Sequence, residues 1–127
     1  MARRMVGIEV VGRPGTFATK GEKAWRSAVA QAVATAMADP SVEPAASGAH
    51  FEIHFTFRTP VPLTQGDAWD IDNLVKPTMD AMAGVLGNRV WNGPEQAADH
   101  TVDRIEASKR TVEAAEDPGA TIEVFEL

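Results

Sequence analysis

The stretch Asp70-Ile71-Asp72-Asn73-Leu74-Val75-Lys76-Pro77-Thr78-Met79-Asp80 sets three carboxylates, an amide and one lysine at the junction of an extended segment and a helix. If the chain enters it extended, Asp70 and Asp72 share a face, because side chains alternate along a strand. Asp72 or Asn73 then serves as helix N-cap, and Asp72, Lys76 and Asp80 climb one side of the helix at successive i, i+4 steps. Val75, Met79, Met82 and Leu86 keep helical spacing on another side. With Leu74, Ala81 and Val85 they give the core face of a helix predicted to run to about Leu86. Pro77 is expected within the opening turns, where its missing N–H costs at most about one helical bond.

Hard oxygen ligands at this density suit Mg2+ or Mn2+, which bind one or two carboxylates plus waters and substrate phosphates. The lysine supplies a positive point charge for a phosphate oxygen. The same residues also fit a plain cap and turn, with Asp72 and Lys76 as a solvated pair of small worth. Spacing alone leaves both readings open.

Outward from this stretch the organisation is simple. Val6, Ile8 and Val10 alternate as a first strand, and residues 12–19 form a loop. Residues 21–37 are alanine-rich and helical, with Trp25, Val29, Val33 and Met37 on one face. Residues 38–48, rich in Pro, Ser and Gly, predict a flexible linker loop. Phe51, Ile53, Phe55 and Phe57 alternate with Glu52, His54, Thr56 and Arg58 as a half-buried strand. Its polar members, together with His50, read as a solvated sheet face rather than a metal site. Strands around Val102–Thr111 and Thr121–Phe125 follow. The order β-α-β-α-β-β predicts an α/β or α+β fold, a small mixed sheet with two main helices. Residues 1–127 fit one domain, without room for a second.

The absence of cysteine excludes disulfides and thiolate metal sites and suits a reducing, cytoplasmic setting. No secretory signal or membrane span is visible, so no membrane partner is expected. The net charge of −6 argues against a nucleic-acid partner, but its distribution argues back. Residues 1–38 carry six basic groups against two acids, and the acidic segment 111–127 carries five acids and no base. A basic amino-terminal face carrying Arg13, Lys20, Lys23 and Arg26 is therefore expected to meet DNA, with the acidic segment in solvent. Trp69 is expected to pack beneath the aspartates, and Trp91 to lie in a loop able to touch nucleic acid.

The motif resembles the RusA family of Holliday-junction resolvases, whose signature runs Asp-x-Asp-Asn-x-x-Lys-x-x-x-Asp-Ala-hydrophobic and is followed by an Asp-Asp pair leading into a strand. Asp70, Asp72, Asn73, Lys76, Asp80, Ala81 and Met82 match it, and Asp99 to Arg110 resembles the downstream strand. The likeness covers most of residues 5–110. It implies a Mg2+- or Mn2+-dependent endodeoxyribonuclease that acts as a homodimer on branched DNA in recombination and repair. Asp70, Asp72 and Asp99 would hold the metal and Lys76 would act with them on the phosphate, while Asn73 and Asp80 would support these groups. Ala98 stands where the family has the first aspartate of the pair, so Glu95 is a rival third ligand. A nuclease for other branched DNA and a DNA-binding dimer with a decayed site are the alternative readings.

Overall fold

Phe51, Ile53, Phe55 and Phe57 lie inside and Glu52, His54, Thr56 and Arg58 outside along β2 (Phe51–Thr59) in the computed structural model. The structure describes residues 2–17, 19–62, 69–90, 92–113 and 115–127. β2 is an interior strand of a four-stranded sheet with β1 (Arg3–Val11), β5 (Val102–Thr111) and β6 (Gly119–Glu126), in the order β1-β6-β2-β5. β6 runs antiparallel to both its neighbours, whereas β2 and β5 are parallel. A parallel pair needs a long crossover. It is made by α2 (Ile71–Asp80), α3 (Ala83–Leu86), a hairpin of β3 (Asn88–Val90) and β4 (Glu95–Ala97), and a 3-10 turn at Asp99–Thr101.

This is the mixed α+β sheet that the pattern predicts, with three departures. The motif helix stops at Asp80 instead of continuing to Leu86. The N–H groups of Ala81 and Met82 bond three residues back, to Thr78 and Met79, a tightening that ends a helix. Met82, Val85 and Leu86 remain buried, so the helical spacing reported burial correctly but could not report the break. Asn88–Val90 and Glu95–Ala97, in the region expected to be loop around Trp91, pair as the antiparallel strands β3 and β4. The acidic segment, finally, does not stay in solvent as one piece. Ala120, Ile122 and Val124 are fully buried, and Glu123 and Glu126 pair with Arg4 and Arg3. Pairing with β6 therefore engages two of the six basic groups counted over residues 1–38. The preceding turn admits only glycine at 119, where φ is +157° and a Cβ would stand 2.0 Å from the Val10 carbonyl oxygen.

One face of the sheet is covered by helices. α1 (Glu22–Met37) buries Trp25, Val29 and Val33 against it, and Met37 packs at the margin. A buried relay ties α1 to α2: Trp25 Nε1 donates to Thr78 Oγ1 at 2.9 Å, and that hydroxyl donates to the Leu74 carbonyl at 2.7 Å. Thr78→Val keeps the shape but orphans the indole N–H, an expected loss of about 1–3 kcal/mol seen as a lower urea midpoint.

Candidate active site

The aspartate stretch lies at the start of α2, and the helix begins earlier than the spacing suggests. Asp70, not Asp72 or Asn73, is the N-cap; its backbone is extended (φ −96°, ψ 136°), and Leu74 N–H bonds its carbonyl at 3.1 Å. Asp72 is already helical, so strand alternation does not relate the two carboxylates. Asp70 forms no side-chain cap bond, although aspartate caps readily. Both side chains are exposed, and neither has a hydrogen-bond or ion-pair partner among the described residues. Two uncommitted carboxylates thus stand at a helix N-terminus, whose first N–H groups and dipole favour an anion such as phosphate.

Lys76 lies one turn above Asp72, about 6 Å along the axis. It does not pair with Asp72. Its Nζ donates to Asp80 Oδ1 at 2.9 Å and to Asp99 Oδ2 at 3.3 Å, and Arg89 Nη2 donates to Asp99 Oδ1 at 3.0 Å. Asp99, in the 3-10 turn before β5, is thereby brought to the motif helix with a cation on each oxygen. Glu95 is exposed at the start of β4 and meets none of these groups among the described residues. The hydrogen bond to Asp80 is the main influence raising the Lys76 ammonium above the usual lysine range, with help from Asp99 and against partial burial. Any stability from these pairs is complete below the ordinary lysine pKa and is lost only as pH rises through the raised one. Lys76 therefore stays charged at neutral and mildly alkaline pH.

Ala98 is buried, and its carbonyl accepts both the N–H of Thr101 (3.1 Å) and its hydroxyl (2.7 Å). A carboxylate at that position would have to be desolvated.

A second segment is fastened to the same place. Pro77 is the seventh residue of α2, later than its opening turns, and its missing N–H leaves the Asn73 carbonyl without the usual helical donor. The backbone N–H of Phe17 fills the gap at 3.0 Å. Trp69 is buried as expected, and its Nε1 donates to the Pro14 carbonyl at 2.8 Å. The loop from Gly12 is thus pinned beside Asp70, with the Arg13 guanidinium 4.9 Å from the centre of the Trp69 ring. Lys20, Lys23 and Arg26 are exposed on the same loop and the first turns of α1, with no ion-pair partner among the described residues. Phe17 is 59% exposed. Trp91 lies outside the described residues.

Sequence reasoning missed Arg89, which no spacing rule connects to Asp99 across the hairpin, and the Phe17 anchor, which the Pro77 break could have signalled. The donor set suits a divalent ion of the Mg2+ class: oxygen ligands only, two of them uncommitted. A family model described as endodeoxyribonuclease RusA matches residues 2–124 of the chain. No curated protein matches it.

Proposed function

The chain belongs to the RusA family of endodeoxyribonucleases, and on that premise we propose that it resolves four-way DNA junctions by metal-dependent phosphodiester hydrolysis in recombination and repair. The observation that supports this is that α2 opens with two uncommitted carboxylates, Asp70 and Asp72, and one turn later carries Lys76, which is paired with Asp99. Asp70, Asp72 and Asp99 would hold Mg2+ or Mn2+, which supplies an activated water and charge stabilisation at the phosphate. Lys76 holds positive charge against the scissile phosphate and the departing oxygen, the kind of electrostatic positioning on which phosphoryl transfer depends. Asp80 anchors Lys76, and Asn73 lends its backbone to the loop that carries Arg13.

Arg13, Lys20, Lys23 and Arg26 would take the DNA backbone on the approach to this site. Their lack of acidic partners among the described residues answers the net charge, since Arg3, Arg4, Arg58, Arg89, Arg104 and Arg110 are all ion-paired. Arg13→Gln is expected to weaken junction binding and lower the slope of log K against log salt by about one. Phe17 fits stacking on an unpaired base at the branch. Phe17→Ala should cost about 1–3 kcal/mol of junction binding and leave duplex binding unchanged in a gel-shift titration.

Cutting both strands symmetrically calls for two sites, hence a homodimer. The deciding experiment incubates a synthetic four-way junction, a linear duplex and a flap with the protein in Mg2+, Mn2+ or EDTA. Metal-dependent paired nicks confined to the junction are expected. Cutting of all three substrates would mean a broader nuclease, and binding without cutting in either metal would mean a decayed site.

A further inference from the structure

The sheet face opposite the helices carries a cluster unrelated to the aspartates of α2. Glu106 of β5 lies directly across from His54 of β2, Glu123 of β6 lies across from it on the other side, and Glu52 precedes it on the same face. His54 Nε2 is 2.7 Å from Glu52 Oε2 and 3.4 Å from Glu106 Oε2. We propose that Glu52, His54 and Glu106 form a second divalent-cation site, one that takes Zn2+ or Co2+ in preference to Mg2+.

Each residue offers one ligand atom, and the three lie within 4.8 Å of one another. Bonds of about 2.0–2.2 Å require somewhat closer ligand atoms. Glu106, the most exposed of the three, supplies that by a change of rotamer. Glu52 and His54 are largely covered and sit on a strand paired on both sides, so two of the ligands are preorganised. The Phe125 ring, 4.7 Å from the imidazole, fixes its plane. A cavity of about 260 Å³ bordered by His54, Glu106, Glu123 and Ser108 leaves room for water ligands. An imidazole nitrogen with two carboxylates selects borderline ions such as Zn2+ over Mg2+, which prefers oxygen alone. Arg104 is 3.5 Å from Glu52 and 3.8 Å from Glu106 and balances their charge without an ion; being 66% exposed, it can swing into solvent when one binds. The bound ion would clamp the edge strand β5 to β2, directly after the turn that holds Asp99.

His50 faces Asp103 instead, 2.9 Å away, and serves as the control. The test titrates Zn2+ by calorimetry, and Co2+ by visible absorption, into the full chain carrying Asp70→Asn and Asp72→Asn, so that the nuclease site contributes nothing. One equivalent is expected, with a shift of the His54 imidazole nitrogen resonance. Affinity should fall at least about tenfold with His54→Gln or Glu106→Gln and be unchanged with His50→Gln. Absence of Zn2+ binding, or binding indifferent to both His54→Gln and Glu106→Gln, overturns the proposal. Neither result bears on cleavage by the unsubstituted protein.

Discussion

Asp72→Asn is expected to lower junction cleavage on the order of 1,000-fold, equivalent to about 4 kcal/mol of transition-state stabilisation. Asparagine keeps the shape and the helical position but removes the charge a hard cation needs. The residue is exposed at the second position of α2 and bonds to nothing else among the described residues, so folding should be unaffected. Junction binding should remain within about twofold, because affinity rests on phosphate contacts made elsewhere. The measurement is single-turnover cleavage beside a gel-shift titration with the same variant. Cutting at the unsubstituted rate would remove Asp72 from the site.

Asp99→Asn should cost roughly 100-fold in cleavage, whereas Glu95→Gln should change it by less than about twofold. The distinction rests on placement: Lys76 and Arg89 hold Asp99 against the motif helix, and Glu95 stands exposed on the hairpin without a described partner. Loss of the Asp99 charge also removes one of the two carboxylates that hold Lys76, leaving Asp80, so rate alone does not separate a ligand from a group that merely positions the lysine. The metal titration does. Losing a ligand raises the Mg2+ concentration at half-maximal rate, while losing a positioning contact lowers the rate at saturating Mg2+ without that shift. The opposite ranking of the two variants would move the third ligand to Glu95.

Local chemistry explains which features could be read in advance. Phe51 to Arg58 alternates cleanly because one face of β2 meets the helices and the other does not, and such a pattern needs only neighbours in sequence. The same holds for Trp25, Val29 and Val33 on α1. Reading the motif helix through to Leu86 failed because periodicity records which side chains are buried, not whether the backbone between them is continuous. The acidic count over 111–127 misled for a related reason. Charge was summed along the chain, whereas Glu123 and Glu126 meet Arg4 and Arg3 across a strand pair separated by more than a hundred residues.

At the candidate site the division is sharper. Asp72, Lys76 and Asp80 could be set on one side from the chain alone, since a helix fixes residues four apart whatever surrounds it, and Asp70 could be named only as their neighbour in the motif. Lys76 choosing Asp80 and Asp99 over Asp72, Arg89 taking the other Asp99 oxygen, and Phe17 filling the bond that Pro77 vacates were decided only by the tertiary structure. Glu106 joining Glu52 and His54 belongs with them. The last depends on the parallel pairing of β2 with β5, and the others on how the segments of the crossover pack on one another and on the loop before α1, none of which a local pattern encodes.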